Sequence, residues 1–231
     1  MLFFLYHFAW TLISIFMIPP ILFSTDRRLR DRLGLGLPNI HPEKKRIWVH
    51  ALSVGEVISA LPLIQSIKDR YPSRDIALTV KTSQGMKLAR DRLANEVDIL
   101  LPMPLDFWWS VGRIVRRIHP SVLILVETDI WPGLLDYLRR KKVKVVLVNG
   151  RISPKTYIAY RRFRSLFRRI LTLIDKHLMQ SDMDRKRLLD IGLPESRVKT
   201  TGNVKFDRPW HPMDKRERRS WICLLYTSDA A

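Results

Sequence analysis

The stretch "HALSVGEV", His50 to Val57, closes one short apolar run, "IWVHAL" (47–52), and opens a longer amphipathic one, "EVISALPLIQSIKDRY" (56–71). A change from a short Val- and Ile-containing run to helical spacing reads as a strand turning into a helix. Gly55 and a lone carboxylate, Glu56, fall at the junction. Ser53-x-x-Glu56 has the form of a capping box, in which Ser53 accepts from the Glu56 backbone N–H while the Glu56 side chain reaches back. The same residues suit a site, with Gly55 letting a ligand approach the backbone closely and Glu56 acting as general base. A helix N-terminus would lower the Glu56 pKa, keeping it ionised but making it a weaker base. The local pattern leaves both readings open.

The same unit recurs along the chain. "IALTV" (76–80), "VDILLP" (97–102), "VLILVE" (122–127), "VKVVLVN" (143–149) and "KHLMQS" (176–181) are strand-like, and several lack polar alternation, as strands buried on both faces do. Helix-length amphipathic stretches such as "WPGLLDYLRRK" separate them. Alternating β and α at this spacing predicts an α/β, doubly wound, Rossmann-like sheet. Ligands of such sheets bind beyond the carboxyl ends of the strands, which singles out 53–56, 82–85, 104–106, 127–129, 149–151 and Ser181.

At 231 residues the chain is long enough for one domain and an appendage, and 46% hydrophobic content supports a core. A net charge of +19 calls for anionic company: nucleic acid, an anionic lipid surface or a phosphorylated substrate. The single cysteine, Cys223, excludes an intramolecular disulfide and a cysteine-cluster metal site. Residues 1–23 carry no formal charge and are long enough to cross a bilayer core of about 30 Å. Pro19 and Pro20 would kink or end that helix near residue 18, so a shallow, partly inserted anchor fits as well. No basic n-region precedes the run, which argues against a cleaved signal peptide, and "DRRLRDR" behind it keeps the rest in the cytoplasm by the positive-inside rule. The expectation is a membrane-anchored cytoplasmic domain: anchor 1–23, a basic linker 24–45, and a Rossmann-like domain from 46 to 208.

Two further stretches carry chemistry. "VETDIWPG" places Glu127 after five apolar residues, where an unpartnered charge is costly, which favours a site role. Thr128 or Asp129 would cap the helix that follows. "RISPKTYIAYRRFRSLFRR" gathers Arg151, Arg161, Arg162, Arg164, Arg168 and Arg169 with no acid before Asp175, and aromatics interleave at helical spacing. Anionic headgroups or phosphates explain that run; no helix-turn-helix, RNA-recognition or zinc-finger pattern accompanies it, so nucleic acid is not expected. The six histidines lack ligand spacing, neither a P-loop nor GxGxxG occurs, and there is no D-x-D of the kind that holds a divalent ion on a sugar nucleotide, so metal-independent chemistry without a cofactor is the expectation.

"HALSVGEV", "LVETDIWPGLL", "LVNGRIS", "MQSDMDRKRLLDIGLP" and "TGNVKFD" occur in that order, and with the apolar N-terminus the chain resembles the 3-deoxy-D-manno-octulosonic acid (Kdo) transferases over residues 1–208. That resemblance implies an inverting, metal-independent glycosyltransferase of GT-B architecture. It would move Kdo from CMP-Kdo to a lipid A precursor (lipid IVA) at the cytoplasmic face of the bacterial inner membrane. It implies Glu56 as general base, and Glu127 and Lys205 as groups that stabilise the transition state. With a phosphorylated, acylated acceptor, Ser53, Gly55, Arg151, Arg161 and Arg162 are the residues expected to meet it, and the anchor and basic run its docking surface. In the family a second Rossmann-like domain supplies most contacts to CMP. Here "RSWICLLYTSDAA" shows no βα pattern, so 209–231 reads as a truncated or aberrant start of that domain, and little activity is expected of this chain alone. The competing readings are a membrane-anchored module that binds anionic lipid or nucleic acid without chemistry, and a GT-B enzyme for a different sugar nucleotide.

Overall fold

The computed structural model describes residues 2–23, 27–35, 37 and 44–207. Among the described residues seven strands form one parallel sheet: β1 (Arg46–Ala51), β2 (Ile76–Val80), β3 (Ile99–Pro102), β4 (Pro120–Val126), β5 (Lys144–Gly150), β6 (Lys176–Met179) and β7 (Val198–Thr200). Their order is β3-β2-β1-β4-β5-β6-β7. The strand pattern in the sequence yielded six; β7 is the addition, a three-residue strand that pairs Val198 with His177.

The helices are α1 (Leu2–Phe23), α2 (Arg27–Arg32), α3 (Val54–Arg70), α4 (Ser83–Leu93), α5 (Trp108–Ile118), α6 (Pro132–Arg140), α7 (Pro154–Arg162), α8 (Arg164–Leu171) and α9 (Asp182–Ile191). Strand side chains alternate between faces, and both faces are covered. Trp48, Leu123 and Leu125 join one core with Ile114, Leu135 and Leu188 from α5, α6 and α9. Val49, Ala51 and Val126 join the other with Val57, Ile64 and Met86 from α3 and α4. This two-sided burial is why the strands read as near-continuous apolar runs.

One local expectation is corrected, and two segments gain detail. α1 runs on through Pro19 and Pro20 instead of ending near residue 18. Each proline removes one backbone donor, but the last turn is held where Ile21 packs with buried Leu33 and Phe107. The expected linker holds α2, and Leu33 behind it is buried; residues 24–26, 36 and 38–43 of it, and the whole of 209–231, lie outside the described residues. The basic run is two helices, broken at Phe163, whose N–H bonds Ala159 O at the end of α7.

The start of α6 is capped from a distance. Neither Thr128 nor Asp129 is the N-cap; Trp131 is, with no side-chain bond. The free N–H groups of Gly133 and Leu134 donate instead to the buried carboxylate of Asp106, at 2.8 and 2.7 Å. The approach is close enough that a Cβ on Gly133 would stand 2.8 Å from Asp106 Oδ1 and 3.0 Å from its carbonyl oxygen. Gly133→Ala is therefore expected to cost about 1–3 kcal/mol of stability by overpacking, read as a lower urea midpoint at unchanged slope.

Candidate active site

The order of the strands reverses between β1 and β4, and in an open α/β sheet the crevice outside such a switch point is where ligands bind. The two segments leaving those strands are "LSVGE" and "ETDIW", and both deliver carboxylates there. They line a cavity of about 390 Å³ with Leu52, Glu56, Glu127, Thr128, Asp129, Arg151, Ser153, Thr156 and Tyr160 on its walls. That volume is in the range of small-ligand sites.

Glu56 sits in the first turn of α3, 8% exposed. Half of the anticipated capping box forms, displaced by one residue: Glu56 Oε2 accepts from the Leu52 N–H, while the Ser53 hydroxyl makes no cap bond although Ser53 is the N-cap. Burial pushes the Glu56 carboxyl up from 4.5 to about 7; the Leu52 N–H works against the rise, Glu127 and Asp129 add to it, and Lys205 opposes it. This reverses the lowering expected from the helix N-terminus, because desolvation outweighs the one backbone donor. A carboxyl held near neutrality is a stronger base than an ordinary glutamate. It also binds its proton more tightly folded than unfolded, so its contribution to stability is full below 4.5 and is lost as pH rises through about 7. Chemical denaturation of wild type against Glu56→Gln across that window is expected to show the variant gaining on the order of 1–3 kcal/mol relative to wild type between pH 4.5 and 7.5.

Glu127 follows β4 directly, with φ +63°. It has partners. Lys205 Nζ lies 3.4 Å from its Oε1, and Asn149 Nδ2 donates to the same oxygen at 3.4 Å. Asn149, fully buried with φ +58°, also accepts from the Val204 N–H at 3.2 Å through its Oδ1. One amide thus ties the "GNVKFD" turn to the strand end that carries Glu127. The turn packs against α3 as well, so residues far apart in sequence meet at one mouth.

Asp129 is the acid that sequence reasoning gave the wrong job. Its Oδ2 accepts from Trp131 Nε1 at 2.8 Å and from His50 Nε2 at 3.1 Å. Behind it runs a buried chain in which Trp48 Nε1 donates to Thr79 Oγ1 at 2.9 Å and Thr79 Oγ1 meets His50 Nδ1 at 3.0 Å. His50 Nδ1 also lies 3.0 Å from the Thr79 carbonyl oxygen, so Thr79 and Asp129 hold the ring at both of its nitrogens. Burial opposes the Asp129 charge, but His50, Trp131 and Lys81 together hold its carboxyl below the usual range. Two acids in one crevice are thus driven apart, one near neutrality and one firmly ionised, the pattern of a site that moves protons.

Of the expected acceptor contacts, Arg151 lines the cavity. Ser53 and Gly55 lie beside its wall residues Leu52 and Glu56; Gly55 is exposed, with nothing nearer to its Cβ position than Ser53 Oγ at 3.9 Å. Arg161 and Arg162 are exposed on α7 and are not among the lining residues. Ser153, Thr156 and Tyr160 line it instead, three residues at helical spacing that sequence reasoning passed over because the arginines on either side of them, Arg151 and Arg161, drew the charge argument. Among the described residues no group of three His, Cys, Asp or Glu side chains is placed to hold a metal ion.

The fold defines the class: a parallel, Rossmann-like α/β domain of the GT-B kind. It resembles a UDP-N-acetylglucosamine 2-epimerase (TM-score 0.53, 17% identity, 74% of this chain and 51% of that one) and the S. aureus MnaA-UDP co-structure (TM-score 0.55, 15% identity, 76% and 51%). Residues 27–208 match the model of the 3-deoxy-D-manno-octulosonic-acid transferase (kdotransferase) family, and the chain belongs to that family of glycosyltransferases. Similar proteins include the Haemophilus influenzae 3-deoxy-D-manno-octulosonic acid transferase, 29% identical over 78% of this chain and 42% of that protein. The Rickettsia conorii transferase is 30% identical over 84% of this chain, and again over 42% of the relative. A Fusobacterium nucleatum bifunctional glycosyltransferase/methyltransferase is 29% identical over 78% of this chain and 29% of its own length. The chain thus spans less than half the length of the relatives it matches.

Proposed function

We propose that this chain is the acceptor-binding half of an enzyme that transfers Kdo from CMP-Kdo to a phosphorylated lipid A precursor (lipid IVA) at the cytoplasmic face of the inner membrane. The observation that carries the reading is the crevice at the β1–β4 switch point, where Glu56, with its carboxyl near 7, faces the same cavity as Glu127, Asp129 and Arg151. In the proposed reaction an acceptor hydroxyl attacks the anomeric carbon of Kdo as the bond to the CMP phosphate breaks, and Glu56 takes the hydroxyl proton. Lys205 offsets negative charge growing on the departing phosphate, and Glu127 both fixes Lys205 and faces positive charge developing on the sugar. Arg151 meets an acceptor phosphate.

The exposed surface of α7 and α8 extends that picture. Arg161, Arg162, Arg164, Arg168 and Arg169 stand exposed there around Ile158, Phe163 and Leu166, which are 67%, 55% and 36% exposed. Cations set around protruding apolar side chains suit an anionic lipid surface. The four domain segments set out above, including a donor-binding part beyond residue 208, belong to the same proposal. It is tested by joining residues 1–208 to the C-terminal half of the Haemophilus influenzae relative and assaying transfer from CMP-Kdo to lipid A precursor. Kdo-bearing product is expected; a folded protein that binds the precursor yet forms none overturns the reading.

A further inference from the structure

α1 has two different sides. At about 100° per residue, Phe3, Tyr6, His7, Trp10, Ser14 and Ile21 fall on one stripe, and each is half-buried or buried. The exposed Phe4, Leu5, Phe8, Leu12, Ile15 and Phe16 fall on the opposite one. The first stripe is attached to the domain by specific contacts. Tyr6 Oη donates to Asp106 Oδ2 at 2.6 Å, His7 Nε2 lies 3.5 Å from Asp136 Oδ2, and the Trp10 ring meets Phe107 edge-on at 5.3 Å. Further along, Ser14 is 5% exposed and Ile21 packs with Leu33. The attachment therefore runs from Phe3 to Ile21, about 27 Å of helix at 1.5 Å per residue, nearly the whole thickness of a bilayer core.

We infer that α1 lies in the plane of the membrane, one stripe clamped to the domain and the other sunk into the acyl region of one leaflet, rather than crossing the bilayer. This rests on the reading above that the chain works at an anionic lipid surface. A crossing helix would have to pull Tyr6 and His7 off Asp106 and Asp136 and carry their polar groups into hydrocarbon, where nothing replaces those partners. It would also strip a donor from Asp106, a carboxylate that is 3% exposed and already serves the start of α6. Lipid is the occupant the outward stripe fits: Phe3–Phe23 carries no charge and has a mean hydropathy of 1.6, and Arg30 on the next helix is an exposed cation for phosphate headgroups. Trp108, 55% exposed beside the Phe107 that holds Trp10, stands where an aromatic at the headgroup level belongs. The crevice is tied to the same clamp, because Asp106 holds the first turn of α6, which follows directly from the Glu127–Trp131 segment.

The test uses the full chain with Cys223→Ser, added to preformed vesicles of phosphatidylglycerol and phosphatidylethanolamine. A single cysteine is placed either ahead of Met1 or as Lys199→Cys on the domain. An impermeant maleimide should label both positions to the same extent before detergent is added, and the protein should float with the vesicles. Flotation with the N-terminal cysteine protected until detergent opens the vesicles overturns the in-plane placement alone. Failure to float overturns the lipid-surface reading and this inference with it. Tyr6→Phe with His7→Ala should raise protease cleavage within residues 1–23 of the free protein several-fold; unchanged cleavage contradicts the clamp.

Discussion

In a protein that carries the donor half, Glu56→Gln is expected to lower the rate of Kdo transfer by about 10²–10⁴, the range that loss of a general base produces. The replacement keeps the shape of the side chain, and its amide oxygen still accepts from the Leu52 N–H, so the start of α3 stays intact. What disappears is the carboxylate that can take a proton. Affinity for the acceptor should change little, so the loss falls on kcat rather than KM. The wild-type rate should fall as pH drops below about 7, where Glu56 is protonated, and the variant's residual rate should lack that limb. Less than a five-fold effect with wild-type pH dependence would make Glu56 a structural carboxylate.

Asp106→Ala is the second large effect, on stability. The carboxylate is 3% exposed and accepts from Tyr6 Oη, Gly133 N and Leu134 N at 2.6, 2.8 and 2.7 Å. Alanine leaves two helix N-terminal donors buried without partners and frees the α1 clamp. The expected loss is about 3–5 kcal/mol, the size seen when one member of a buried charged network is removed. Asp106→Asn keeps one strong acceptor and should lose less, about 1–2 kcal/mol. Urea unfolding followed by tryptophan fluorescence measures both. If Asp106→Ala unfolds at the wild-type midpoint, α6 is capped by something other than this residue.

The sheet was legible because its strands are buried on both faces, so "VLILVE" and "VKVVLVN" carry the signal of two cores at once. β7, "VKT", offers three residues with two of them polar, and only its pairing with β6 makes it a strand. The positions of Glu56 and Glu127 were legible too, since both fall just beyond the carboxyl ends of strand-like runs, where such sheets bind ligands. Their electrostatics were not. Locally Glu56 stands at a helix N-terminus, whereas the packing of distant segments around it decides the direction of its shift. Nor does any local pattern reveal that Asp106 caps a helix 27 residues away, or that His50 reaches Asp129. The Ser153, Thr156 and Tyr160 face was available from helical spacing, one position out of phase with the arginines that were favoured instead.

In the proposed reaction one carboxyl takes the proton, and burial at the switch point holds it close to neutrality. The titration of Glu56, followed by carboxyl ¹³C NMR in the described chain with Glu56→Gln for assignment, tests it most directly. A midpoint near 7, moving down in Glu127→Gln as a neighbouring negative charge is removed, is the predicted result. A midpoint at or below 4.5 would contradict it and return Glu56 to the role of a helix cap.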